Sequence, residues 1–192
     1  MIAHNKEKTM DYTVTTQPTP NPNALKFVLN VPVKTTDSAI FRSSADALTV
    51  PLAAALVKLD HVTEVYFSGK FITVTQNGDG NWDVLEGSIK DAILQNIAGH
   101  NPSFEIAANK AGGGEALSGE LARISAILDS TIRPALQRDG GDLQVVSLEG
   151  NVLTISYQGA CGCCPHGGMG TLFAIQNILQ DQYRPDIVVQ LG

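Results

Sequence analysis

Apolar positions from Tyr12 to His100 fall into short alternating runs separated by two stretches of helical spacing. Tyr12–Thr16 alternates as a half-buried strand does, and Ala24–Leu29 is a second extended run. Val62–Phe67 and Phe71–Gln76 predict two further strands joined by a tight turn at Ser68-Gly69-Lys70. Ala45–Leu59 predicts a helix with Pro51 at a break or in its first turn. Leu85, Ile89, Ala92, Ile93 and Ile97 share one face of another helix. The predicted order is β-β-α-β-β-α. Between the first two strands, Gln17–Asn23 carries Pro18, Pro20 and Pro22 at alternate positions. Each proline fixes its own φ and biases its predecessor away from helix, which predicts an ordered, extended loop.

Periodicity lapses from Asn101 to Ser118, where Gly112-Gly113-Gly114 gives the composition of a flexible linker. It resumes with Leu121, Ile124, Ile127, Leu128 and Ile132 on one helix face, Ser118 being a candidate N-cap. Pro134 kinks that helix or begins a new turn, and Asp139-Gly140-Gly141-Asp142 ends it. Leu143–Leu148 and Val152–Tyr157 predict a hairpin, Gly168 or Met169 to Gln182 a helix, and Ile187–Gln190 a last strand. The expected fold class is therefore α+β. Two small mixed domains, residues 12–100 (β-β-α-β-β-α) and 119–192 (α-β-β-α-β), are joined by a linker over residues 101–118, and residues 1–11 form a loose tail.

Composition narrows the function classes. With 43% apolar and 17% charged residues the chain is too apolar for a disordered protein. Its longest apolar run, Val50–Val57, is far short of the ~20 residues of a membrane span. Lys+Arg number 13 against 19 Asp+Glu, and a net charge of −6 argues against a nucleic-acid partner or an anionic membrane surface. The first ten residues hold two Lys and no Arg and lack the pattern of a signal peptide or presequence, so the expected compartment is cytoplasmic.

The cysteines change the picture most. All three, Cys161, Cys163 and Cys164, lie within four residues, in Gly159-Ala-Cys-Gly-Cys-Cys-Pro-His-Gly-Gly168. Such a cluster cannot staple distant parts of a fold; it marks a site. Cys161 and Cys164 have C-x-x-C spacing, and the following helix start offers unpaired N–H groups and a positive dipole end that favour thiolates. Three readings are open: buried thiols, a dithiol–disulfide redox pair, and a metal or iron–sulfur site. In the last, one chain offers two well-spaced thiolates plus Cys163 and His166. Neighbouring residues such as Cys163 and Cys164 normally point differently, so one chain is not expected to close a four-ligand set, whereas two chains, each giving Cys161 and Cys164, would do so at a homodimer interface. Asn151–Gln180 contains no Asp, Glu, Lys or Arg, a neutral collar that lowers the desolvation cost of closing a second surface over the site.

Ile132-Arg-Pro-Ala-Leu-Gln-Arg-Asp-Gly-Gly-Asp142, a hairpin ending in Gly159-Ala-Cys-x-x-Cys-Pro165, and a helix from Thr171-Leu172 closely resemble the C-terminal domain of NifU, the Nfu-type iron–sulfur cluster carrier domain. Pro18-Thr-Pro-Asn-Pro-Asn23, Leu25-Lys-Phe27 and Phe71-Ile-Thr-Val-Thr75 resemble the N-terminal domain that accompanies it in many Nfu proteins. The resemblance implies a carrier or scaffold, not an enzyme. It would hold a [4Fe–4S] cluster between the C-x-x-C pairs of two protomers, receive it from an assembly donor and deliver it to apo iron–sulfur proteins. Cys161 and Cys164 match the family's ligand positions. This chain departs in the extra thiol of Cys163 and in Pro165-His166-Gly167-Gly168, which puts cluster stability in question more than binding. The rival class is a thiol–disulfide oxidoreductase using Cys161 and Cys164. Asp139 and Asp142 read as helix termination and hairpin entry, since carboxylates are poor iron–sulfur ligands. The N-terminal domain offers no metal-ligand set and is expected to serve partner recognition or control of the C-terminal domain.

Overall fold

The computed structural model describes residues 11–106, 119–161 and 168–192. Two sheets, each with its own cluster of buried side chains, make a mixed α/β chain. The N-terminal sheet is antiparallel throughout, in the order β1-β2-β5-β4-β3. Its strands are β1 (Val14–Pro18), β2 (Ala24–Leu29), β3 (Lys34–Phe41), β4 (Val62–Gly69) and β5 (Phe71–Gln76). Helices α1 (Pro51–Val57) and α2 (Trp82–Asn96) complete this half. In the C-terminal half, α3 (Gly119–Thr131) and α4 (Arg133–Arg138) precede the hairpin β6 (Gly141–Glu149) and β7 (Val152–Gly159). Helix α5 (Gly168–Gln182) then returns the chain to β8 (Val188–Leu191), which pairs parallel to β7. Among the described residues no helix is long and apolar enough to cross a membrane.

Three elements differ from expectation. Strand β3 was not foreseen: Asp37 takes a left-handed φ of 57°, and the register shifts between Lys34 and Ser38, so only Ala39 and Phe41 alternate inward. Helix α1 begins at Pro51 rather than Ala45, because proline suits a first-turn position and holds Val50 extended (φ −127°, ψ 89°). Asn101–Ile106, expected in the linker, packs instead on the first core. Phe104 sits 6.0 Å from Phe41 and 6.2 Å from Phe67, its carbonyl accepts from Lys34 Nζ at 2.9 Å, and Pro102 O accepts from the Thr35 amide. The remaining linker residues, the Ser118 cap and residues 1–10 lie outside the described residues. Phe104→Leu is expected to lower the stability of this half by about 1 kcal/mol through its lost edge contacts. A denaturant titration following the Trp82 fluorescence checks this; a true linker position would show no change.

The pleat of the N-terminal sheet separates two faces. Phe27, Leu29, Val65, Phe67, Ile72 and Val74 point to the helices and form the core. The opposite face carries Lys26, Tyr66 and Thr73, register partners across β2, β5 and β4. An antiparallel sheet ordinarily gives such a polar face to water, yet all three side chains are buried. The C-terminal half covers them.

Candidate functional site

Cys161 lies two residues past the end of β7, after Ala160, half-buried and packed on the edge of the second core. Two backbone segments form its base. One is the α4–β6 junction, Asp139-Gly140-Gly141-Asp142; the other is Gln158-Gly159-Ala160 at the end of β7, with Gly141 and Gly159 directly opposed in the ladder. The Ala160 amide donates to Gly140 O at 3.2 Å. Both glycines are required by proximity. A Cβ on Gly159, whose φ is +61°, would lie 2.7 Å from Gly140 O, and one on Gly141 would overlap the Cys161 Sγ. Tyr157, two residues before β7 ends, has its phenol pushed up to about 12 by burial first and by electrostatic repulsion from the neighbouring Cys161, with the Thr171 hydroxyl opposing. Thr171 thus links the first turn of α5 to the strand that leads to the cysteine.

Asp142 is buried and accepts four hydrogen bonds. They come from Arg133 Nη1, from Gln137 Nε2 at 3.1 Å, from the Leu143 amide at 2.7 Å and from the Tyr66 hydroxyl at 3.0 Å. Burial together with the Asp142 charge holds the Tyr66 phenol far above its usual range, so Tyr66 stays a neutral donor. Around this centre the N-terminal sheet supplies further donors. Lys26 Nζ reaches Gln137 O (2.9 Å) and Arg138 O (3.2 Å), carbonyls of the last turn of α4. Burial lowers the Lys26 pKa, with Asp139 opposing. Glu64, on the same face, is raised by burial while Arg42 and the Gly159 amide pull it back.

The structure thus places Cys161 at a strand end. The other candidate ligand, Cys164, lies with Cys163 and His166 outside the described residues. Among the described residues no three His, Cys, Asp or Glu side chains converge as a metal site. Asp139 caps α4 and Gly140-Gly141 open the hairpin, while Asp142 is also the centre of a network that sequence reasoning missed. Its signal was present in the alternation: Tyr66 and Thr73 stand on the non-core side of β4 and β5, in line with Glu64, Ser68 and Thr75.

A cysteine just past a strand end, on a base too tight for any side chain and followed by sequence free of charged residues, is what the described residues present in this small α/β half. The chain belongs to the Nfu/NifU scaffold family: the family described as "Scaffold protein Nfu/NifU N terminal" matches residues 14–100, and "NifU-like domain" matches residues 124–190. Among its relatives, the "NFU1 iron-sulfur cluster scaffold homolog, mitochondrial" of Homo sapiens is 36% identical over 179 residues, covering 91% of this chain and 69% of that protein. "NifU-like protein 4, mitochondrial" of Arabidopsis thaliana is 34% identical over 172 residues, covering 86% of this chain and 61% of its relative. The solution structure of a NifU-like protein from Saccharomyces cerevisiae aligns with 50% of this chain and 89% of its own, at 20% identity and a TM-score of 0.42. The relatives' names overturn the cytoplasmic expectation, since they place these proteins in mitochondria. That expectation rested on the side chains of residues 1–10 alone, which carry too little charge and periodicity to fix a compartment.

Proposed function

We propose that this protein assembles or carries an iron–sulfur cluster, holding a [4Fe–4S] cargo between Cys161 and Cys164 of two protomers and passing it to apo-proteins. The observation that carries the reading is the placement of Cys161 on a base built by two glycines, in a chain whose two halves match the two Nfu/NifU domain types in order. Thiolate is the ligand that iron–sulfur clusters take, and four irons need four external thiolates. One chain supplies two at C-x-x-C spacing, so a two-fold dimer closes the set. The neutral collar from Asn151 to Gln180 favours that closure. Transfer then proceeds by ligand exchange, acceptor thiolates replacing Cys161 and Cys164 in turn, without bond-making in a small substrate. Two domains divide the work: the first, through Ile106, carries no metal-ligand set, and the second, from Gly119, carries the cysteines.

Anaerobic reconstitution with iron and sulfide tests this reading. The expected product is brown, holds about four irons per two chains and has about twice the mass of the cluster-free chain. Chelation should remove the colour and halve the mass together. A protein that stays colourless and cycles between dithiol and disulfide would be an oxidoreductase instead, and a loaded monomer would defeat the bridging arrangement.

A further inference from the structure

The proline-spaced loop Gln17–Asn23 and the polar face of the N-terminal sheet have no part in ligand counting, yet both converge on the base of Cys161. Register partners Lys26, Thr73 and Tyr66 form one row across β2, β5 and β4. They meet Gln137 and Arg138, Gly140, and Asp142 in that order. A straight row of the sheet thus engages the helix end, the turn and the strand start in succession.

Two of these contacts bear on the cysteine directly. Gly140 O accepts both the Thr73 hydroxyl, at 2.6 Å, and the Ala160 amide. The Ala160 carbonyl, which belongs to the peptide bond leading into Cys161, accepts from Asn21 Nδ2 at 3.2 Å. Asn21 is fully buried, and its Oδ1 is occupied by the Asn23 amide at 2.9 Å, which fixes the amide orientation so that Nδ2 faces Ala160. Prolines 18, 20 and 22 restrict the loop that delivers it. Both backbone groups of Ala160 are therefore held, its N–H through Gly140 and Thr73 and its C=O by Asn21. The planar Ala160–Cys161 peptide carries that restraint on to Cys161 Cα.

We propose that Asn21 and Thr73 are positioning residues for Cys161: the N-terminal sheet, docked through its Lys26–Thr73–Tyr66 row, fixes the backbone from which the thiol projects. The functional consequence rests on the cluster-carrier reading. With the clamp closed, Cys161 is a preorganised ligand that holds cargo; with it open, the thiol is mobile and exchanges cargo faster. This gives the N-terminal domain a role in retention and release.

The test uses the full chain with Thr73→Val, Asn21→Ala, and Thr73→Ser as the conservative rescue. In cluster-free protein, alkylation of Cys161 by iodoacetamide, followed by peptide mass mapping, reads the thiol's freedom whether or not a cluster binds. Thr73→Val and Asn21→Ala should each raise that rate about tenfold, as expected for losing one well-made hydrogen bond, and Thr73→Ser should restore it. In reconstituted protein, the same two changes should speed cluster loss to a chelator by a similar factor and alter the visible circular dichroism of the cluster. Unchanged alkylation in both Thr73→Val and Asn21→Ala would overturn the clamp. If the alkylation rates rise as expected while even the unmodified chain takes no cluster, the positioning stands and the cluster reading fails.

Discussion

Cys161→Ser and Cys164→Ser are each expected to leave the reconstituted protein without a retained cluster, whereas Cys163→Ser should keep it. A serine hydroxyl is a poor, rarely ionised ligand for iron at neutral pH, and a site with one ligand missing from each protomer loses two of its four bonds to cargo. Iron and acid-labile sulfide, measured after anaerobic desalting, should fall from about four per dimer to background in the first two variants. Cys161 also packs on the edge of the second core, so thermal melting of each variant, run alongside, separates lost ligation from lost stability. Retention in Cys161→Ser together with emptying in Cys163→Ser would reassign the ligands.

The second large effect is expected at Gly141. A methyl group there would overlap the Cys161 Sγ and stand 2.9 Å from both the Cys161 amide nitrogen and Gln158 O. Two of those three obstacles are backbone, so relief must come from opening the hairpin end that carries the cysteine. Gly141→Ala should therefore cost about 3 kcal/mol, the upper end for overpacking, and abolish cluster retention although every candidate ligand is still present. Gly170→Ala, in the first turn of α5 with nothing within 4 Å of its added methyl, is the control. It should keep the cluster and be neutral or slightly stabilising. Thermal melting and iron content measured side by side separate the two outcomes.

The sequence made most elements legible because they depend on short-range pattern. C-x-x-C spacing, the hairpin turns and the helical faces of α2, α3 and α5 are all written within about fifteen residues. What escaped needs long-range information. Strand β3 departs from period two where its register shifts, and Phe104 looks like linker until Phe41 and Phe67 are seen to receive it. The support of the site was hidden for the same reason. Asn21 and Ala160 are far apart in the chain, and nothing local to Thr73 says that its hydroxyl ends on Gly140. A polar residue on the non-core side of a strand reads as solvent-facing, and only the docked second half makes Lys26, Tyr66 and Thr73 buried.

The strand order of the N-terminal sheet also sets a sequence of events in folding. Strand β5 lies at the centre, between β2 and β4, so Leu25, already opposite Pro18 of β1, gains its second neighbour only when Val74 arrives. While the chain emerges from the ribosome, the β1–β2 ribbon and the β3–β4 pair each wait with an open edge, and neither can close a sheet alone. The C-terminal sheet grows instead from the local β6–β7 hairpin and one crossover. Contacts of long sequence separation form slowly, so the half made first contains the slower pairing, and the half that carries the cysteines can complete its own sheet before its docking surface exists. A chain whose first sheet is still unpaired therefore has Cys161 in place but unclamped.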